Sequence, residues 1–401
     1  MKAVVYRGKG KMAVEDVDDP RISKSTDAIL KATSTAICGS DLHMYDGRTT
    51  VDEGTVLGHE IMGVIEEVGD AVSQLKPGDR VVLPFNIACG KCFNCVRGFT
   101  NACLTMNPEA PSAAYGYAGM GPYRGGQAQK VLVPYADFNA LKLSGQPFDE
   151  HEDDYLMIAD IFPTAWHATE LAKVDMGSSV AIYGAGPVGL LSIMSARLRG
   201  ASEIYAIDNV ESRLEKAREM GAIPINFSDG KPSEQIMNLR KKNSELMKAW
   251  KDGENKFLTG VMSGIDAIGY QAHDFQNPSK EEANEVLQDL IEVVNPTGNL
   301  GIIGVFMPED PGAPTDELKQ GELNMKFGTL WNKGQALGTG QAPVKKYNYF
   351  LRDLVISGKA DPGTIVTHHI SIDEAPEMYE RFDKREDGMH KIVINPNGKE
   401  S

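Results

Sequence analysis

Five cysteines are the residues of this 401-residue chain whose type and spacing promise chemistry most directly, and four of them share one short stretch: Cys89, Cys92, Cys95 and Cys103. Two Cys-x-x-Cys steps and a fourth thiol after seven intervening residues offer four soft ligands, the donor set of a closed tetrahedral zinc site. An iron–sulfur cluster would call for about three residues before the last cysteine and a proline after it; here Leu104 follows. A disulfide framework suits short secreted chains. This chain is long and opens on MKAVVYRGKGKMAVE, which lacks the apolar core of a signal peptide. The expected compartment is therefore reducing and cytoplasmic.

The fifth cysteine, Cys38, stands in Ile-Cys-Gly-Ser-Asp-Leu-His, and Gly58-His59-Glu60 follows about twenty residues later. A thiolate and an imidazole on two loops begin a second zinc site. A catalytic zinc takes three protein ligands and keeps one position open. With no cysteine left, the third ligand must be His, Asp or Glu. Glu60 is adjacent in sequence, and Asp160 opens the Asp-Ile-Phe-Pro segment; spacing alone leaves both open.

A third signal is Val180-Ala-Ile-Tyr-Gly184-Ala-Gly186-Pro-Val188-Gly189, set between a predicted strand and a predicted helix, with Asp208 ending the next strand. Gly184 allows the tight turn, Gly186 clears the approach of a pyrophosphate and Gly189 lets helix and strand pack. The helix N-terminus supplies N–H groups to the anion. Asp208 suits ribose hydroxyls and repels a 2′-phosphate, favouring NAD over NADP. Arg213 lies one turn beyond, within reach of the adenine or ribose.

These sites need elements to hold them. Short β-rich runs at Lys2–Tyr6, Ala28–Ala32, Ile61–Val68, Arg80–Pro84 and Gln129–Pro134, separated by Gly, Pro and Asp, predict a barrel or sandwich. From about Asp160 the pattern alternates: strand Val180–Tyr183, a helix through Arg199, strand Glu203–Ile207 and a helix through Met220, which implies a parallel sheet. Ala283 to Val294 recur at helical spacing, and Gly298–Val305 reads as a further strand. A charged helix is predicted between Ser233 and Asp252, as a surface insertion. After Pro343 come a helix, Val344–Ser357, and short strands at His368–Ile372 and Lys391–Ile394. Glycine, 41 of 401 residues, exceeds the usual share of about 7%. The net charge of −15 gives no electrostatic support for a nucleic-acid backbone, and the composition disfavours a membrane span.

The segment Gly58-His59-Glu60-x2-Gly63-x5-Gly69-x2-Val72, the four-cysteine lobe and the glycine fingerprint together resemble the zinc-dependent medium-chain alcohol dehydrogenases, over nearly the whole chain. Within that family the chain is similar to the glutathione-independent formaldehyde dehydrogenases and dismutases. The similarity lies in Cys38–His43, Pro84–Cys92, Ala114–Tyr117, Val133–Asn139, Asp160–Thr164 and Gly340–Asn348.

The resemblance implies an α/β fold. A GroES-like β-rich catalytic domain would occupy residues 1–157, a Rossmann NAD domain 158–340 and a return to the catalytic domain 341–401, with the active site in the cleft. It implies two zinc ions per chain: a structural one on the four lobe cysteines, and a catalytic one on Cys38, His59 and Asp160 with Glu60 as an alternate ligand. Ser40 and His43 would carry the substrate proton, and Asp41 would orient His59. NAD contacts would come from Gly39, Ser40, His43, Thr164, Gly184, Gly186, Val188, Gly189, Asp208 and Arg213. The substrate would be a small alcohol or aldehyde, formaldehyde above all, and the chain a homodimer or homotetramer. Ile268–Glu282 occupies the place of a segment that covers the adenine side. Two departures are the long charged stretch Gly230–Lys256, and Gly338 where a histidine is expected. The other histidines, His151, His167, His273, His368, His369 and His390, show no ligand-like pairing and read as structural or exposed.

Overall fold

The computed structural model describes residues 1–249, 258–386 and 388–398. The chain divides into two compact units, Met1–Pro163 with Pro343–Ser401, and Thr164–Ala342. No helix among the described residues is long and apolar enough to cross a membrane.

The first unit is built on a seven-stranded sheet. Its order is Val366–Ser371, Lys391–Asn395, Ala28–Ile37, Ile61–Val68, Arg80–Leu83 and Leu141–Lys142, with Lys130–Val133 also on Ala28–Ile37. Ala28–Ile37 pairs with three strands and is buried at nine positions of ten, so every residue but the exposed Lys31 is uncharged. It runs five residues past the predicted Ala28–Ala32 and delivers Cys38. Leu30, Ile61, Ile65, Val81, Leu83, Val131 and Val133 form the core beneath the cysteine lobe. Gly63 is required where two strands cross closely: a Cβ there would stand 2.1 Å from the Lys31 carbonyl.

The second unit carries a parallel six-stranded sheet in the order Ile223–Asn226, Glu203–Asp208, Ser179–Tyr183, Val261–Asp266, Val294–Ile302, Ala336–Thr339. The chain reverses direction of travel between Ser179–Tyr183 and Val261–Asp266, the crevice where doubly wound sheets bind dinucleotides. Helix Glu285–Val293 buries Val286, Leu287, Leu290 and Ile291 against Tyr183, Ile207 and Leu300.

Three expectations change. The strand predicted at Gly298–Val305 runs Val294–Ile302, and ends there because Ile303 and Gly304 donate their N–H groups to Asp266 O. The charged helix is two helices, Pro232–Lys242 and Ser244–Ala249, broken at Asn243, whose side chain accepts from Leu246 N; residues 250–256 of the predicted insertion lie outside the described residues. His369 is paired, with Nε2 2.9 Å from both Asp153 oxygens, and His151 Nδ1 is 3.4 Å from Asp154. Sequence distance hid the first pair, 216 residues apart.

Candidate active site

Cys38 leaves the end of its strand and caps the short helix Gly39–Tyr45; its N–H donates to the Asp41 carboxylate at 3.1 Å. Gly58 turns the second loop with φ +96°, and a Cβ there would strike the Gln127 side chain at 2.4 Å. The two loops and the residue ahead of helix Ile161–Leu171 bring Cys38, His59, Glu60 and Asp160 together, with ligand atoms within 4.8 Å of one another and all four buried. His59 Nε2 lies 3.2 Å from Asp160 Oδ2, and Cys38 Sγ lies 3.8 Å from the same oxygen. Asp160 therefore sits in the first unit, beside the other three.

These distances match the edges of a tetrahedron around zinc. Bond lengths near 2.0 and 2.3 Å give N···O edges of about 3.3 Å and S···O edges of about 3.5 Å. Electrostatics agree with the geometry. Burial works against a charge on His59, yet the carboxylates of Asp41 and Asp160 and the Cys38 thiol together hold its pKa well above the ordinary imidazole value. Burial pushes the Cys38 thiol up, and Glu60 with it. Acidic groups crowded without solvent are settled by a cation among them.

Ser40 Oγ is 3.3 Å from both Cys38 Sγ and His59 Nε2, so its hydroxyl stands directly against the candidate ligand atoms. Asp41 Oδ1 stands 3.3 Å from His59 Nδ1, as a carboxylate that orients a ligating imidazole does. His43 is one turn further along the same helix, buried, with its carbonyl accepting from Arg48 and Thr49. Phe85 and Tyr117 set their rings edge-on to His59, with centroids 6.1 Å away.

Three residues escaped the sequence reading. Lys391 Nζ, fully buried, donates to Glu60 Oε1 at 2.5 Å and to the Ile37 carbonyl at 3.1 Å. Glu60 Oε2 is buried and, among the described residues, meets no hydrogen-bond donor, which leaves one carboxylate oxygen free toward the candidate metal group. Gln127 donates to Asp41 Oδ2 at 3.1 Å and accepts from Tyr379 OH at 2.8 Å. The only local signal was a lysine opening an otherwise apolar strand, Lys391-Ile-Val-Ile.

The four lobe cysteines also converge within 4.8 Å. Cys92 and Cys95 sulfurs are 3.4 Å apart, and Cys92 and Cys103 3.9 Å, around the S···S edge of about 3.7 Å that zinc imposes. Backbone N–H groups of Cys89, Cys92 and Leu104 point at sulfur. Although burial opposes it, such donors bring the Cys92 thiol down to about 6, ready to ligate as thiolate.

In the second unit Gly184 turns with φ +93°, and Gly189 meets the Gly184 carbonyl so closely that a Cβ would be 1.8 Å from it. Gly186 caps helix Pro187–Leu198, which contains Val188, and a Cβ on it would meet nothing nearer than Arg213 at 4.0 Å; that open cradle fits a pyrophosphate. Asp208 accepts from Ala185, Asn209 and Val210 N–H groups, with Arg213 at 3.8 Å. Three of roughly four carboxylate lone pairs are then in use, which leaves about one for a ribose hydroxyl. Thr164 begins this unit, on helix Ile161–Leu171. Gly39 opens the Cys38 helix, with free space beside its Cα.

Residues 24–143 match the model of the alcohol dehydrogenase GroES-like domain. The chain is 41% identical to the glutathione-independent formaldehyde dehydrogenase of Bacillus subtilis, over 99% of this chain and 97% of that one. It is 36% identical to the formaldehyde dismutase of Pseudomonas putida, over 99% and 98%. Among solved structures, the alcohol dehydrogenase of Thermus sp. ATN1 superposes with a TM-score of 0.80 at 33% identity, covering 98% of this chain and 99% of that one.

Proposed function

The chain belongs to the zinc-dependent medium-chain alcohol dehydrogenase family, and from that premise we propose that it oxidises formaldehyde to formate with NAD and without glutathione. The observation that carries this reading is the convergence of Cys38, His59 and Asp160 beside Ser40, in a chain whose full-length relatives bear formaldehyde names. Cys38, His59 and Asp160 would hold the catalytic zinc, and the four lobe cysteines a second, structural one. Gly184, Gly186, Gly189 and Asp208 would hold NAD, with Gly39, Thr164, Val188 and Arg213 as further contacts. When bound, the zinc supplies Lewis acidity and the nicotinamide accepts a hydride.

The protein's own part is proton handling and orientation. Formaldehyde hydrate is a gem-diol, so its oxidation is formally that of an alcohol: the carbon gives up a hydride and one hydroxyl gives up a proton. Ser40 Oγ would take that proton while giving up its own hydroxyl proton, and His43, one turn further along the helix, would be its acceptor on the way to solvent, an imidazole being suited to this near neutrality. Gln127 and Asp41 fix the ring of His59, and Phe85 and Tyr117 wall it with apolar surface.

The fold also supports a homo-oligomer. Ala336–Thr339 is an edge strand, and Trp331 (75% exposed) and Phe327 (62%) stand just before it; such edges are seldom left open. All five cysteines are proposed zinc ligands and none forms a disulfide, which fits a reducing cytoplasm. To test the function, the purified protein is denatured, its zinc counted and any released nucleotide identified, and its NAD-linked rates on formaldehyde and on polyols are compared. Two zincs with formaldehyde turnover is the expected result, and retained NAD(H) would mark a dismutase. Turnover of polyols with none of formaldehyde would overturn the reading.

A further inference from the structure

Lys345 lies at the start of the helix Val344–Ile356, whose Val344, Tyr347, Asn348, Leu351 and Val355 are buried. Its side chain runs between two aromatic rings: Nζ is 5.4 Å from the centroid of Phe138 and 5.2 Å from that of Tyr349. The Nζ atom is buried and, among the described residues, meets no hydrogen-bond acceptor. Phe138 is itself wedged against Gly90, where a Cβ would stand 2.7 Å from its ring, so that wall is fixed, while Tyr349 is 55% exposed on the solvent side. An ammonium has three donors and needs acceptors. Ring faces satisfy its charge only in part, and an unsolvated charge in such a recess favours the neutral amine. Burial alone, with no charged neighbour contributing, brings Lys345 down to about 8.

We propose that the Lys345 amine is a reversible covalent site for small aldehydes, separate from the metal centre. The amine nitrogen attacks the carbonyl carbon and forms a C–N bond. The carbonyl π pair moves to oxygen and the amine proton follows it, giving a carbinolamine. Loss of water gives the imine, and water addition reverses both steps, with no oxidant or reductant consumed. With the rings of Phe138 and Tyr349 5.4 and 5.2 Å from Nζ, the approach to the amine is narrower than at a solvated lysine, which favours a one-carbon aldehyde over a bulky one. The site deepens the formaldehyde reading only in sharing its substrate class, since its chemistry needs neither zinc nor NAD.

The test is competitive reductive methylation of the intact holoprotein at pH 7.5, with limiting formaldehyde and cyanoborohydride and peptide mass spectrometry as the readout. Lys346, exposed on the next residue, is the internal control. At this pH a far larger fraction of Lys345 than of an ordinary lysine is neutral. Lower basicity takes back part of that gain, as it does for thiols, and leaves Lys345 faster on the order of tenfold. With benzaldehyde the order should invert. Initial rates for formaldehyde that are equal, or higher at Lys346, overturn the site, and an unchanged order with benzaldehyde overturns the role of the rings. Because mass is read rather than turnover, neither result depends on the dehydrogenase reading.

Discussion

Replacing Lys391 with methionine removes the ammonium and keeps most of the volume. Lys391 and Glu60 are both fully buried, and Lys391 also bonds the Ile37 carbonyl one residue before Cys38. Removing one partner of such a pair leaves the other charge uncompensated and costs about 3–5 kcal/mol. At about 2–4 °C per kcal/mol for a unit of this size, the unfolding midpoint of the zinc-loaded protein at pH 7.5 should fall by roughly 6–20 °C. Replacing both partners by neutral residues of similar shape is often nearly free, so K391M/E60Q should recover most of the loss. Scanning calorimetry of the parent, K391M, E60Q and the double variant closes the cycle. A K391M midpoint within about 3 °C of the parent, or a double variant no more stable than K391M, would refute the reasoning that the pair is a buried charge balance.

Asp160→Ala removes one of the three proposed ligands of the catalytic zinc while the cysteine lobe keeps its four, so zinc per chain should fall from two to one with formaldehyde turnover abolished; retention of both metals speaks against Asp160 as a ligand. Asp208→Asn removes the charge that repels a 2′-phosphate, and the ratio of kcat/KM for NADP over NAD should rise at least about tenfold; an unchanged ratio places the discrimination elsewhere. Burial would raise Asp149, but the Arg80 fork, at 2.9 and 3.1 Å, holds its carboxyl below the usual range. Its stabilising contribution is therefore present above the ordinary carboxylate value and lost as pH falls through the lower folded one. Asp149→Asn should cost about 1–3 kcal/mol at pH 7, with the gap to the parent closing as pH falls below the ordinary carboxylate range; urea midpoints at neutral and acid pH check it. Trp331→Asp places a charge beside the exposed edge strand and should lower the mass found by light scattering, and an unchanged assembly would exclude that edge as the contact.

The parts of the site legible in the sequence are those where chain geometry alone limits the partners. The four lobe cysteines span one short loop, and the glycine fingerprint lies between a strand and the helix that it starts, so residue type and spacing nearly determine what each can reach. Cys38 and His59 were legible for the same reason, Cys38 directly after one strand and His59 just before the next. The proposed third ligand was legible only through the family resemblance, which pointed to Asp160, because adjacency alone points to Glu60: it follows His59 directly, yet its Oε1 is claimed by Lys391 from 331 residues away, while Asp160 faces both His59 and Cys38. Buried charge must be balanced by whatever the fold carries to it, and that balance leaves no spacing to read. The register that pairs Ile392 with Ile37 sets Lys391 beside Glu60, and Tyr379 reaches Asp41 through Gln127. Two residues of the C-terminal segment thus bear on the groups around His59, Lys391 directly and Tyr379 through Gln127. The return of the chain to its first unit after Pro343 is in physical terms part of the metal site, since without that strand Glu60 would be a buried carboxylate with no cation but the metal to answer it.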